Sequence, residues 1–270
     1  MKPNILALGS SRMMQFRKES FNVPFVNAGG GMHYLSEGIL FLDEMLKSHK
    51  PDHIILGLDF WWFNDNYEDV VNFPHHNNTG NKLTLKKLLK PLEYLNDGKL
   101  DSKILTNILF SDKKNKYTNF DNMGFQAISN SAGFRNDGSY FYAKRIFGNS
   151  NKADTNFDNT YFRIEKGVAR FEFGKQLSNK RLKLFIRLLE IIKTNNIKLT
   201  ILIPPVANSV YDKMTNLNDK YKFINELRQY IKQLDIESFD FHNPYILNTS
   251  DCEFIDGFHG GDVIYNRILR

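Results

Sequence analysis

Short apolar runs alternate along this chain with amphipathic stretches of helical length, and that alternation restricts the fold more than any other feature. The runs are Ile5 to Leu8, Pro24 to Asn27, His53 to Leu58, Leu199 to Ile203 and Ser238 to Phe241. Their apolar and β-branched content fits strands covered on both faces. Between them, Ser36 to Ser48, Leu83 to Asn96, Asn179 to Thr194 and Asp219 to Leu234 repeat apolar residues at three and four, which gathers them on one helix face. In Asn179 to Thr194 the stripe is Leu182, Phe185, Leu188, Leu189 and Ile192. Strand and helix in alternation predict an α/β fold: a doubly wound, mostly parallel five-stranded sheet with right-handed crossovers.

The stretch Phe73 to Gly174 does not follow this rhythm. It is rich in Asn, Lys, Tyr and Gly, and beyond Leu83 to Asn96 it has little periodicity. It reads as a long insertion or lid after the third strand, within one domain spanning residues 1–270; such loops carry binding more often than packing. At 270 residues and 41% hydrophobic, the chain has enough material for one such core.

The net charge of +6 comes from lysines in Lys82 to Lys90, Lys113 to Lys116 and Lys180 to Lys198. A basic surface favours anionic polymers or anionic lipid head groups, and no nucleic-acid-binding motif accompanies it, so nucleic acid is not expected as a partner. The single cysteine, Cys252, excludes an internal disulfide and a cysteine-based zinc site. Neither a His and carboxylate cluster nor a phosphate-binding glycine motif is present, so no metal and no cofactor is expected. No apolar run reaches the length of a membrane span. The start sits directly on a strand and Val263 to Leu269 reads as the opening of a helix that stops early, which predicts an N-terminal anchor outside this chain.

Three motifs close strands. Gly9-Ser10-Ser11-Arg12 follows the first, at the carboxyl end where doubly wound folds place ligand groups. It reads as an ordinary small-residue turn, or as a turn that projects a serine hydroxyl while its N–H faces an oxyanion. Asn27-Ala28-Gly29-Gly30-Gly31 follows the second, as a flexible turn or a source of a second oxyanion N–H. Ile55-Leu56-Gly57-Leu58-Asp59-Phe60-Trp61-Trp62 closes the third; its aromatics either pack in the core or floor a sugar or acyl site, and an ionised Asp59 has no proton to donate to an oxyanion. Near the other terminus, Asp256-Gly257-Phe258-His259 puts a carboxylate and an imidazole three apart in a tight loop. There the Asp can fix the tautomer while the other ring nitrogen faces a serine. In the insertion, Gly133-Phe134-Arg135-Asn136-Asp137-Gly138-Ser139 sets Arg135 in a turn-rich segment, either paired with Asp137 or reaching a substrate. Ile203-Pro204-Pro205 ends the fourth strand abruptly.

In this order the motifs resemble the blocks of the SGNH or GDSL hydrolase superfamily, which lie on a flavodoxin-like sheet. The first block resembles Gly9-Ser10-Ser11 and assigns the nucleophile to Ser11; the second falls within Gly29 to Gly31; the last, Asp-x-x-His, resembles Asp256 and His259. The third block, Gly-x-Asn, resembles Gly57-Leu58-Asp59, a departure that removes the family's side-chain oxyanion donor. The Gly-Ser-Ser, the large insertion and the Pro-Pro are similar to a cell-envelope branch that includes alginate acetylation proteins and the D-alanyl transfer protein of teichoic acid modification. Members of that branch work beside membrane-bound O-acyltransferases.

The resemblance implies a serine esterase or O-acyltransferase, acetylating or deacetylating a bacterial cell-surface polysaccharide. It places the protein on the extracytoplasmic side of the envelope, in the periplasm or on the outer face of the membrane, with a cytoplasmic location as the rival. Its partners are an acylated carbohydrate and a membrane-bound O-acyltransferase. Ser11, His259 and Asp256 are the expected catalytic residues; the N–H groups of Ser11, Gly30 and Gly31 are the expected oxyanion hole; Arg12, Asp59, Trp61 and Arg135 are the expected substrate contacts. Two other readings remain: a glycan-binding or accessory module that keeps the fold without the chemistry, and a cytoplasmic lipase or thioesterase, which needs an apolar acyl tunnel.

Overall fold

A computed structural model describes residues 2–67, 92–93, 95–98, 102, 122–123, 132–142 and 156–270. The chain divides into two compact units. The larger comprises Met1–Val70, Asp137–Ser139 and Asn151–Arg270, and the smaller comprises Val71–Asn136 and Tyr140–Ser150.

The larger unit is built on an all-parallel sheet of strands β1 (Ile5–Gly9), β2 (Phe25–Gly29), β3 (His53–Gly57), β4 (Lys198–Ile203) and β5 (Glu237–Asp240), in the order β2-β1-β3-β4-β5. Ile5 lies beside Phe25 on one side and His53 on the other, and Ile55 lies beside Thr200. The described residues include the helices α1 (Leu35–Met45), α2 (Asp158–Lys166), α3 (Asn179–Thr194), α4 (Asn208–Asn216), α5 (Lys222–Lys232) and α6 (Asp262–Ile268). This is the α/β layering expected of a doubly wound sheet. Leu6, Ala7, Leu8, Ile54, Leu56, Ile201, Leu202 and Ile203 are buried, as strands packed on both faces require.

Helix α3 occupies the range that the apolar spacing predicts. Ser178 caps it by accepting the Arg181 N–H at 3.2 Å, and Phe185, Leu188 and Ile192 face the core. Each such side chain contributes about 1.5–3 kcal/mol on burial. Asn196, with φ at 52°, turns the chain away just past its end. The helix expected over Leu83 to Asn96 lies almost wholly outside the described residues.

The region expected as one insertion, 73–174, is shared between the two units. Helix α2 and the turn after it belong to the larger: Thr160 and Ile164 are buried there, and Tyr221 Oη donates to the carbonyls of Ile164 and Phe171, each at 3.0 Å. Helix α2 is nine residues long, too short for a periodic pattern to stand out. Residues 137–139 also join the larger unit. The Asn27 N–H of edge strand β2 donates to the Asp137 carbonyl at 2.6 Å, and the Asp137 carboxylate accepts from the Lys18 N–H and from both N–H and Oγ–H of Ser139. This segment covers the open edge of β2. In the smaller unit, strands Asn122–Met123, Gly133–Arg135 and Tyr140–Phe141 form an antiparallel sheet.

Candidate active site

Three parallel strands end in glycine at the same level because a turn presses on all of them. Residues Ser11–Met13 form a 3-10 turn, capped by Ser10, whose hydroxyl accepts the Arg12 N–H at 3.2 Å. A Cβ on Gly9 would meet Met13 Cγ at 2.6 Å, one on Gly29 would meet the Met14 nitrogen at 2.7 Å, and one on Gly57 would strike the Met13 side chain. Glycine at these positions lets Met13 sink to 1% exposure. Ser11 is thereby set, half-buried, over the carboxyl ends of the strands.

The other half of the site is a hairpin, Phe254–Asp256 against His259–Gly260. Asp256 Oδ1 accepts the backbone N–H of Phe258 at 3.1 Å and of His259 at 2.8 Å, which closes the loop on itself. Gly257 is required by close approach: a Cβ there would meet Thr160 Cγ2 of α2 at 2.6 Å and Val210 Cγ2 of α4 at 2.8 Å. The Gly257 carbonyl also accepts the Ala207 N–H at 3.0 Å. Two helices thus hold the loop that carries His259.

The two halves meet. Ser11 Oγ lies 2.8 Å from His259 Nε2, and His259 Nδ1 lies 2.9 Å and 2.8 Å from the two oxygens of Asp256. An ionised carboxylate can only accept, so Nδ1 carries the proton, and the lone pair on Nε2 accepts the Ser11 hydroxyl proton. Burial pushes the Asp256 carboxyl up, but the His259 charge and the hydrogen bonds from His259 and from the Phe258 and His259 backbone outweigh it and hold it at about 2. The arrangement can take a proton from Ser11 and stabilise the imidazolium that results.

The chain matches no family model, no curated protein and no solved structure.

Other expected site residues take different places. Arg12 is not open to a substrate: it is 1% exposed and every arm of its guanidinium is used. Nε donates to the Phe258 carbonyl at 2.9 Å, one terminal nitrogen to Asp59 Oδ1 at 3.0 Å, and the other to the Pro204 and Pro205 carbonyls, each at 2.7 Å. Asp59 is equally buried, with Oδ2 lacking a hydrogen-bond partner; burial pushes its carboxyl up against the pull of Arg12. Trp61 is 2% exposed and lies edge-on to Phe60 and Phe258, with Arg12 5.4 Å from its ring centroid, so it packs in the core and does not floor a sugar. Arg135 belongs to the smaller unit, where it is buried with its guanidinium carbon 4.8 Å from the Phe141 ring centroid. It is packed against that ring instead of being displayed in an open loop.

The glycine loop also departs from expectation as an oxyanion hole. The Gly30 N–H donates to the Gly9 carbonyl at 2.9 Å and the Gly31 N–H to the Ala28 carbonyl at 3.0 Å, while the Gly29 N–H donates to Asn27 Oδ1 at 2.6 Å. Closing the turn consumes these donors. Of the three N–H groups expected to hold an oxyanion, that of Ser11 alone has no partner among the described residues. Among the same residues, no three His, Cys, Asp or Glu side chains are grouped to hold a metal ion, and no helix is long and apolar enough to cross a membrane.

Sequence reasoning passed over Arg163, Arg170 and His242. The first two bracket Phe258 beside His259, and the third is buried next to β5. None lies in a recognisable motif, so no local signal marks them.

Proposed function

We propose that the chain is a serine-dependent acyl transfer enzyme with an SGNH hydrolase fold, an O-acetyltransferase or acetylesterase acting on a bacterial cell-surface polysaccharide. The observation that carries this reading is the unbroken hydrogen-bonded chain from Ser11 Oγ through both nitrogens of His259 to Asp256. In this reading the three act as a triad. Ser11 Oγ attacks the acyl carbonyl and gives its proton to His259 Nε2, and Asp256 holds the Nδ1–H tautomer and supports the imidazolium. The Ser11 N–H donates to the oxyanion. His259 then returns the proton to the leaving sugar oxygen, and a second hydroxyl or water attacks the acyl-enzyme with His259 again as base. The strand order and the place of Ser11 at the carboxyl end of β1 support the fold assignment. A site outside the cytoplasm, beside a membrane-bound O-acyltransferase that supplies acyl groups, belongs to the same proposal.

A non-catalytic glycan-binding module is the second reading, and a specific observation favours it. The N–H groups of Gly30 and Gly31 bond within their own turn and Asp59 is sealed, which leaves little oxyanion support.

Hydrolysis of p-nitrophenyl acetate separates the two. As an enzyme, the protein turns the ester over, Ser11→Ala lowers kcat by about a thousandfold or more, His259→Ala lowers it nearly as far, and the double variant is little worse than Ser11→Ala alone. Ser10→Ala costs far less. Full activity in Ser11→Ala rejects the enzyme reading.

A further inference from the structure

Helices α4 and α5 frame an open cavity of about 220 Å³ beside His242, which lies two residues past the carboxyl end of edge strand β5. Doubly wound folds place their ligands outside the carboxyl ends of the strands. Ser11, Asp256 and His259 are not among the residues that line this cavity.

One carboxylate fixes two polar groups at it. Asp240 Oδ2 accepts the Nε–H of Arg228 at 2.5 Å, and Asp240 Oδ1 accepts the backbone N–H of His242 at 3.1 Å. Nε is the only nitrogen of the Arg228 guanidinium bonded among the described residues, so both terminal nitrogens keep their donors. The imidazole of His242 is buried, with its ring edge-on to those of Phe60 and Tyr211. Neither of its ring nitrogens has a hydrogen-bond partner among the described residues. Burial, then the charge of Arg228, push the imidazole down to about 3, so at neutral pH the ring is uncharged and has one N–H to give. A buried polar group without a partner is costly, and a ligand that accepts from the ring removes that cost.

The rest of the wall is largely apolar. Met214 and Ile224 are buried, and Tyr211 and Tyr221 stand with them. Tyr221 Oη is turned away to the carbonyls of Ile164 and Phe171, so the cavity meets its ring. No carboxylate lines the cavity, and Asp240 is already engaged by Arg228 and His242. Donors from a cation and a neutral ring, set in an apolar wall, suit an acceptor-only group on an apolar body. A guanidinium matches a carboxylate in shape and charge.

We propose that this cavity binds a small carboxylate with a compact apolar body, held by the terminal nitrogens of Arg228 and the ring N–H of His242. The site stands independently of acyl transfer at Ser11.

The test titrates the full chain at pH 7 with benzoate, with benzamide as the uncharged ligand of the same shape, and with inorganic phosphate as the anion lacking an apolar body. The readout is the NMR signal of the His242 ring, assigned by its loss in His242→Phe. Benzoate is expected to shift that signal saturably and to bind about tenfold more tightly than either benzamide or phosphate. Arg228→Gln should lower benzoate affinity by about tenfold and leave benzamide nearly unchanged, and Arg228→Lys should recover part of the loss. Thr215→Phe changes an exposed residue of α4 that lines the cavity, and it should block benzoate even if Arg228→Gln fails to fold. Equal binding of benzoate and benzamide overturns the proposal, as does tighter binding of phosphate. Benzoate binding indifferent to both Arg228→Gln and Thr215→Phe overturns it too, and a His242 signal that benzoate never shifts leaves the cavity to solvent. Hydrolysis of p-nitrophenyl acetate by the Ser11 variants decides acyl transfer separately, so either reading can fail without the other.

Discussion

Ser11 and Arg12 are neighbours in one short turn, and they meet opposite environments. The Ser11 side chain is partly open to solvent and bonded to a group that can take its proton. Arg12 is sealed beneath it, joined to Asp59 and to three backbone carbonyls. Its contacts tie together the turn after β3, the Pro-Pro after β4 and the loop before His259, while Tyr265 Oη donates to the Arg12 carbonyl. A reactive group needs access, and a positioning group needs the reverse. A guanidinium with five donors can fix three separate loops at once when water is excluded from competing. The open corner therefore keeps its geometry because the sealed cluster beside it holds the loops in place.

This contrast can be broken from the sealed side first. Arg12→Met leaves Asp59 buried without its cation and should destabilise the protein by about 3–5 kcal/mol, read as a fall in the denaturant midpoint. Adding Asp59→Leu should recover a good part of that loss, because an uncompensated buried charge is what makes the single change severe. A mild effect from Arg12→Met would remove the division of labour.

Asp256 lies between the two regions, nearly buried yet bonded to the open His259. Its folded carboxyl sits at about 2 against an ordinary value of 3.8, so as pH falls the unfolded chain takes the proton first. The stability it contributes is present above pH about 4 and is lost between there and pH about 2, an amount on the order of 2 kcal/mol. Asp256→Asn should therefore be less stable than wild type at pH 5, with the gap closing as pH approaches 2. A gap of constant size would assign the effect to packing.

His242 gives the smallest effect and sharpens the rule that polar burial without partners is a liability. It is 4% exposed, edge-on to Phe60 and Tyr211, and its Nδ1 is buried without a hydrogen bond. Burial, then the nearby Arg228, push the imidazole down to about 3. The unfolded chain gains this proton below pH about 6.5 and the folded chain only near 3, so wild type loses stability across that window. His242→Phe should stay within about 1.5 kcal/mol of wild type at pH 7 and lose less between pH 6.5 and 4 in thermal melts.

How much of this could be read beforehand follows the range of each interaction. The five strands and α3 announce themselves through periodicity, which is a local property. The bond between Asp256 and His259 spans three residues, so spacing reveals it. Ser11 and His259 are 248 residues apart, and only the order of motifs on a parallel sheet places them together. The burial of Arg12 depends on carbonyls 192, 193 and 246 residues away, and a carbonyl has no signature in sequence. The glycine run was ambiguous for the same reason: sequence supplies N–H groups without saying which will bond within the turn. Helices α2 and α4, nine residues each, are too short to display a stripe, and Arg163 and Arg170 went unmarked with the first of them.

Acyl transfer through Ser11 requires that its Oγ become acylated. Rapid acid quench of the protein mixed with p-nitrophenyl acetate, followed by digestion and mass spectrometry, tests it directly. An acetyl group is expected on Ser11, not on Ser10, and is expected to be lost in His259→Ala. An unmodified Ser11 under conditions where the ester is being turned over would contradict it.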